Sequence, residues 1–455
     1  MKRADSYVDS DSSHGARLWM ISYVVASLIL CGGSVFGFTP LKQIFLDEGV
    51  FADVCSGPSV PCEAQLVQLD RLFTLAGSLF SVWLLPAGLC LRFLGPRVCF
   101  GSGFTLVFVG CLLFAFAPFD YYTAAYVLLG SGNPLIYIAA FNFAKLYPNS
   151  SNLLLSIFIG CFGFSSVVFY VFNEIHFRLG MSSQDLFLVF SAAPVLLFLI
   201  GMAILPPWPY HVQYQKKLLR KVHNSSIDER TPLRKVGVEN ALLEEPASED
   251  QEVPLKEQSI PRQLVSAPFI GQSIFFCWGM LHQNFYLASL GDQIFMFANH
   301  DASQEALATL ILQDFSMLYP LGCLLSILPV GVIVRNFSVS TSLFAYCVTN
   351  LVFSALALVP VVPVQWVTSF VYITVRVGFF TIMSTYSANI FGFKNLSAMF
   401  GCAGCLAGLC SLLGVFLSDR ALYVDHSFWL VNSILLAGAC LSFVLPILVR
   451  RLWEN

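Results

Sequence analysis

A single arginine stands in the middle of a long apolar run in the last quarter of the chain, 371-VYITVRVGFFTIM-383. A charge at the centre of a bilayer costs about 3 kcal/mol or more unless it is paired or hydrated. A guanidinium offers five N–H donors in a rigid fork that fits carboxylates and carbonyls. We therefore predict that Arg376 faces a central cavity and binds such a group of a substrate. The alternative is an interhelical pair within the protein, with Asp314, the nearest candidate, or with backbone carbonyls.

Other polar side chains in apolar segments could hydrogen-bond a polar ligand. Gln283 and Tyr286 are three residues apart, so they share one face of a helix. Tyr372 lies four residues before Arg376, on the same side of its helix. His282 titrates near neutral pH and could couple transport to protons, but a structural hydrogen bond is the alternative.

Asn133 precedes a proline in another apolar segment. Pro134 removes a backbone hydrogen bond and kinks a helix. Asn133 therefore either satisfies the kinked backbone or offers its amide to a ligand.

The composition makes lipid the main solvent of this chain. Of 455 residues, 57% are hydrophobic and only 11% are charged, whereas globular proteins have about 25% charged residues. The net charge of −3 gives no reason to expect a nucleic-acid partner. The sequence has no phosphate-binding GxxxxGK[ST] loop, HExxH motif or metal-ligand cluster, so we expect neither an enzyme nor a bound cofactor or metal.

The apolar runs predict an all-α membrane protein with twelve spans, since about 20 apolar residues cross a bilayer. The predicted spans are 18–38, 69–91, 98–117, 121–144, 152–173 and 185–205, then 267–290, 308–333, 341–360, 364–390, 396–417 and 428–449. They form two six-helix bundles, 18–205 and 267–449. The polar segment 206–266 between them is poor in aromatic residues and is predicted to be a disordered linker.

Basic residues predict the orientation. Most Lys and Arg residues fall on the side that carries the N-terminal tail 1–17, the linker and the C-terminal tail 450–455, so we expect these in the cytoplasm. Cys55 and Cys62 then lie in the first outer loop, on an oxidising side where a disulfide forms. Two unpaired cysteines are the alternative.

Two short motifs are repeated at matching places in the two halves. 86-PAGLCLR-92 ends span 2 and 329-PVGVIVR-335 ends span 8. A weaker pair is 160-GCFG-163 in span 5 and 401-GCAG-404 in span 11. Small residues let helices approach closely, so Gly88 and Gly331 predict close helix crossings and Arg92 and Arg335 predict anchors at the head groups. The alternative is that apolar helices end with glycine and arginine by chance, and the occurrence of two such ends at matching positions argues against it.

Six spans, a linker and six spans resemble the major facilitator transporters, whose two halves are related by an axis along the membrane normal. Many of them carry G-x-x-x-D-x-x-G-x-R after span 2. This chain has 88-GLCLRFLGPR-97, which matches at Gly88, Gly95 and Arg97. Arg92 replaces the aspartate, so the gating ion pair of that superfamily is absent and a latch must use other partners.

A narrower resemblance covers most of the chain. The segment from 37-GFTPL-41 to Gly88 and the segment 371-VYITVRVGFFTIMSTYSANIFG-392 resemble the amino-acid and nucleobase facilitators of solute carrier family 43. The length and the many phenylalanines are most similar to the protozoan riboflavin transporters of the RibJ family. The resemblance implies that Phe38 and Phe380 line the cavity, although core or lipid-facing positions are the alternative.

The resemblance implies a monomeric facilitator in the plasma membrane that imports a small polar solute by alternating access. Riboflavin is the favoured substrate, and a large neutral amino acid or a nucleobase is the alternative. A nutrient receptor that binds without transport is the alternative from another class.

Overall fold

The described residues fold into helices joined by short connections. The computed structural model describes residues 14–55, 62–147, 150–206, 255–299 and 301–451. The helices of spans 1 to 6 are His14–Cys31 with Phe38–Asp47, Glu63–Phe93, Pro96–Phe116, Tyr122–Phe141, Ser151–Phe164 with Val167–Leu179, and Ser183–Phe190 with Ala192–Ile204. Those of spans 7 to 12 are Ala267–Ala298, Ala302–Leu325 with Ile327–Asn336, Val339–Ala357, Val362–Ile390, Leu396–Ser411 with Leu413–Asp419, and Trp429–Leu441 with Val444–Val449.

Eleven helical segments of the described chain are long and apolar enough to cross a membrane. The twelfth, span 7, has 32 residues, which extend about 48 Å in an α-helix. It is less apolar because it carries buried polar residues, among them Gln272, His282 and Gln283. The prediction of an all-α protein with twelve membrane helices is confirmed.

Span 1 differs from the predicted single helix over 18–38. The sequence 32-GGSVFG-37 interrupts it, and only a short 3₁₀ turn over Ser34–Phe36 separates the two helices. A Cβ atom on Gly33 would lie 2.5 Å from the carbonyl oxygen of Phe162, and one on Gly37 would lie 2.6 Å from that of Ser166. The glycines therefore let the backbone of span 5 lie directly against the break.

Side chains of span 4 satisfy the backbone that this break exposes. Asn133 donates from Nδ2 to the carbonyl of Cys31 over 2.7 Å and accepts from the Val35 amide over 3.3 Å. The Tyr126 hydroxyl donates to the Val35 carbonyl over 2.6 Å. Unpaired buried backbone groups are costly, so the broken span 1 depends on span 4.

The repeated motifs of the two halves pack against each other in crossed pairs. In span 2, Gly88 lies against the carbonyl oxygen of Ser397 in span 11. A Cβ atom on Gly401 of span 11 would lie 2.5 Å from the carbonyl oxygen of Leu84 in span 2. The first proline–glycine–arginine motif thus faces the second glycine pair.

The second crossing mirrors the first. A Cβ atom on Gly331 of span 8 would lie 3.1 Å from the Leu153 side chain of span 5. Gly160 of span 5 packs on Ile327 of span 8, and Gly163 packs on Cys323. The repeat identified in the sequence therefore corresponds to a structural repeat, with spans 2 and 11 related to spans 8 and 5.

The two ends of the bundle differ. We call the end that carries Arg92, Lys145 and Lys394 the basic end, and the opposite end, with the Cys55–Cys62 disulfide, the disulfide end. The close glycine contacts run from mid-bundle to the basic end, so the halves are closed there. At the disulfide end a cavity of about 540 Å³ separates spans 2 and 11, lined by Val67, Arg71, Asp419, Arg420 and Val424.

The last part of the predicted linker is ordered. Residues Leu255–Glu257 and Ile260–Leu264 form short helical turns beneath the second half. The buried Gln263 fixes them, since its Nε2 donates to the Leu255 carbonyl over 2.7 Å. Residues 207–254, the rest of the predicted linker, lie outside the described part of the chain.

Candidate functional site

Arg376 lies halfway along span 10 and is 3% exposed. Its Nη1 donates to the Tyr372 hydroxyl over 3.2 Å, and its guanidinium carbon lies 4.6 Å from the ring centre of Phe36 and 5.6 Å from that of Phe380. Its Nη2 has no hydrogen-bond partner among the described residues. The cation is thus held by the Tyr372 hydroxyl and two aromatic faces, the Tyr319 hydroxyl lies near it, and its Nη2 is left unused.

The alternative prediction that Arg376 pairs with Asp314 is wrong. Asp314 accepts instead from Nε1 of Trp366 over 3.2 Å, in an exposed pair. Among the described residues, no carboxylate lies within ion-pair distance of Arg376.

An aromatic cluster from both halves closes around this arginine. Phe36, in the break of span 1, lies 5.6 Å from Phe162 of span 5, and Phe162 lies 4.5 Å from Tyr137 of span 4. Tyr137 lies 6.4 Å from Phe380 of span 10, across the interface between the halves. We call Phe36, Tyr137, Phe162 and Phe380 the aromatic cage. All four are 6% exposed or less, so the site is closed.

Tyr137 provides the second unsatisfied polar group of the cage. Its hydroxyl is buried and has no hydrogen-bond partner among the described residues. Arg376 and Tyr137 come from opposite halves, so a ligand held by both would bridge them.

A chain of polar residues supports Arg376 within the second half. The Tyr372 hydroxyl donates to the Gln283 carbonyl over 3.1 Å while it accepts from Arg376. Gln283 donates from Nε2 to the Tyr346 hydroxyl over 3.3 Å, and its Oε1 is unpartnered. The ring of Tyr286 lies 4.8 Å from that of Tyr372. These three predicted residues are therefore brought together behind Arg376.

Two other predicted residues lie away from the cage. Phe38 packs 5.3 Å from Phe73 and 5.7 Å from Tyr126, inside the first half. Asn133 is next to the break in span 1, where both atoms of its amide are occupied by backbone.

His282 is buried and lies 5.0 Å from the ring of Phe353, with no hydrogen-bond partner for its Nδ1 among the described residues. The ring that it contacts, Phe353, belongs to span 9 and is not part of the aromatic cage.

Sequence reasoning missed Tyr137, Phe162 and Tyr319. Tyr319 of span 8 lies 6.5 Å from Tyr372 and interacts with Arg376. These residues are ordinary aromatic side chains in apolar runs, so nothing in their spacing distinguishes them. A buried hydroxyl without a backbone partner can be recognised only in three dimensions.

The predicted gating residues have separate roles. Gly95 has a φ of +87° at the turn between spans 2 and 3, a conformation that favours glycine. Arg97 donates from Nε to the Leu205 carbonyl over 2.8 Å, at the end of span 6. Arg92 crosses to the second half, where its Nη1 donates to Oδ1 of Asn395 over 2.9 Å. Its repeat partner Arg335 is exposed and forms no such bond with the described residues.

The bond of Arg92 continues into the ordered end of the linker. Nδ2 of Asn395 donates to Oε1 of Gln263 over 3.0 Å. The guanidinium of Arg92 and the amides of Asn395 and Gln263 thus link the two halves at the basic end.

Comparisons with known proteins support the fold seen here. No family model matches the sequence. The chain is 24% identical to Protein FMP42 of Saccharomyces cerevisiae over 438 residues, 85% of each chain. It is 24% identical over 180 residues to the aromatic and large neutral amino acid transporter 5-3 of Toxoplasma gondii, and 22% identical over 201 residues to arginine transporter 1 of the same organism. These two matches cover 37% and 41% of this chain but only 33% and 38% of the transporters.

Two solved structures share the architecture over nearly the whole chain. The fucose:proton symporter FucP of E. coli superposes with a TM-score of 0.59 at 13% identity, covering 95% of this chain and 98% of the symporter. The proton:xylose symporter XylE superposes with a TM-score of 0.62 at 14% identity, covering 97% and 96%. The chain therefore has the major facilitator fold.

Proposed function

We propose that this chain is a membrane carrier for a small organic solute with an acid group, and that an amino acid is its substrate. The observation that carries the proposal is the pair of unsatisfied donors in the aromatic cage, Nη2 of Arg376 and the hydroxyl of Tyr137. A carboxylate accepts hydrogen bonds from both, and a guanidinium binds it as a planar fork. The relatives named as amino acid transporters support the same class of solute.

Each part of such a solute has a counterpart in the site. The carboxylate would lie between Arg376 and Tyr137, and an apolar or aromatic side chain would pack among the rings of Phe36, Phe162 and Phe380. The cage is closed at both ends, so the solute enters when the halves separate at the disulfide end and leaves when they separate at the basic end. The basic end would face the cytoplasm of a cell whose plasma membrane holds the carrier.

Riboflavin is the second candidate, and the aromatic cage is the observation that favours it. A flat ring system stacks on aromatic side chains, and its ring carbonyls would accept from Arg376. This solute has no carboxylate, so its carbonyls would accept hydrogen bonds from the guanidinium and leave the positive charge without a counter-ion.

Uptake by cells that express the chain distinguishes these solutes. We expect labelled neutral amino acids to enter faster than in control cells, and riboflavin or nucleobases to compete weakly. Arg376→Lys should lower amino-acid uptake about tenfold or more, because a lysine lacks the fork and one such charged hydrogen bond is worth about 1.5–3 kcal/mol. Arg335→Lys, at the exposed repeat position, serves as the matched control.

Three results would contradict the proposal. Uptake of riboflavin without uptake of amino acids would favour the second candidate. Solute binding without uptake, with the protein at the cell surface, would favour a receptor. Equal effects of the two arginine substitutions would remove Arg376 from the site.

A further inference from the structure

A small cavity at the basic end is surrounded by positive charge from both halves. The cavity, of about 20 Å³, lies between the end of span 2, the end of span 4 and the start of span 11. Arg92 and Lys145 of the first half and Lys394 of the second half line it, and its lining contains no acidic residue. It is separate from the aromatic cage, since none of the cage residues lines it.

The three cations are not neutralised by the described residues. Arg92 donates from one nitrogen to the amide oxygen of Asn395, and this neutral side chain does not compensate its charge. Neither Lys145 nor Lys394 has a carboxylate within 4 Å among the described residues. Like charges brought together in a partly buried place repel each other, and an anion between them would remove that cost.

A neutral donor also points to a ligand in this cavity. Asn142 lines it, is 7% exposed, and its Nδ2 has no hydrogen-bond partner among the described residues. A buried N–H donor without a partner is unfavourable, and an oxyanion is an acceptor that would satisfy it. The size of the cavity fits one oxygen atom, about the size of a water molecule.

We propose that this cavity is an anion site, in which Arg92, Asn142, Lys145 and Lys394 bind an oxygen of a small oxyanion between the closed halves. The oxyanion is either a free inorganic anion or the carboxylate of a solute that has left the cage, and the second source rests on the proposed function. An anion here contacts both halves, so it stabilises the conformation closed at the basic end.

Phosphate binding to the purified full-length protein tests this site without any transport. We expect inorganic phosphate, titrated at constant ionic strength with chloride replaced by a larger organic anion, to bind and to raise the thermal unfolding temperature. Lys394→Gln and Lys145→Gln should each weaken phosphate binding about tenfold, the effect of one charged hydrogen bond. Arg335→Gln, at the exposed repeat position, should leave the affinity unchanged.

The exposed Lys394 keeps the test decisive if Lys145→Gln does not fold. Phosphate that fails to bind, or that binds Lys394→Gln and the unaltered protein equally, would overturn the site. Either result leaves the uptake experiment and the proposed function untouched.

Competition between an amino acid and phosphate for the Arg376→Gln variant identifies the source of the oxyanion, because this variant lacks the cation beside the aromatic cage. An amino acid that displaces phosphate from this variant identifies the solute carboxylate as a ligand. An amino acid without effect assigns the site to inorganic anions alone, and the site itself stands.

Discussion

Two atoms define the chemistry of this protein at the scale of single residues. Nη2 of Arg376 and the hydroxyl of Tyr137 are buried donors with no partner in the described chain, although most buried polar groups in proteins are hydrogen-bonded. A carrier needs donors that are unsatisfied when empty, because a donor already bonded to the protein gains little from a solute.

We expect Tyr137→Phe to raise the KM for amino-acid uptake about tenfold or more, because a hydrogen bond from a hydroxyl to a carboxylate contributes about 1.5–3 kcal/mol. The amount of protein at the surface should not change, since the hydroxyl bonds nothing in the described residues of the empty carrier. Uptake at several solute concentrations measures the effect. Tyr386→Phe is the control, because the hydroxyl of Tyr386 donates to the Pro268 carbonyl. A similar rise of KM in both variants would count against Tyr137 as a ligand.

At the scale of helices, glycines decide how far the halves close. Gly88 lies against the backbone of Ser397, whereas a Cβ atom on Gly77 of the same helix would meet nothing within 4 Å. The sequence marks Gly88 through its repeat, but the crossing partner is visible only in the fold.

We expect Gly88→Ala to separate spans 2 and 11 at the basic end and to leave the carrier open there, since a backbone contact cannot move aside as a side chain does. Protease or thiol-reagent access to the basic end should rise, and net uptake should fall severalfold. Gly77→Ala should retain uptake and access close to those of the unaltered protein. If the two substitutions behave alike, the crossing does not control closure.

Sequence patterns predicted much of this fold for physical reasons. The length of the apolar segments predicts the spans, and a motif that occurs twice predicts a repeat. The two bundles and the position of Arg376 in the middle of its span therefore follow from local sequence information. The break in span 1 does not, because 32-GGSVFG-37 is apolar and its backbone is satisfied by Asn133, about 100 residues away. The same limit explains why the sequence leaves Asn133 open between a backbone partner and a ligand, and why it does not distinguish Tyr137.

At the scale of the whole molecule, the halves pack closely at the basic end and leave a cavity between them at the disulfide end. The cavity between spans 2 and 11 separates Arg71 of the first half from Asp419 of the second. Binding of a solute between Arg376 and Tyr137 would draw the halves together and narrow this cavity.

We expect solute to slow the reaction of Val424→Cys with a membrane-impermeant thiol reagent severalfold, since Val424 lines this cavity. Arg178→Cys is the control, because the Arg178 side chain is 79% exposed at the same end and outside the cavity. Labelling in the presence and absence of amino acid measures the change. Unchanged rates at Val424→Cys would show that solute does not close this end.

The charge of Arg376 has an electrical consequence. If the chain is the proposed carrier, a guanidinium without a counter-ion halfway along span 10 would cross part of the membrane field whenever the empty protein reorients, and a full unit charge gains about 2.3 kcal/mol per 100 mV. The carboxylate of the proposed solute would cancel that charge, so voltage should act more strongly on the return of the unloaded protein than on the loaded step. The resting membrane potential would then set the rate at which the empty binding site reorients to the side where it binds the next solute molecule.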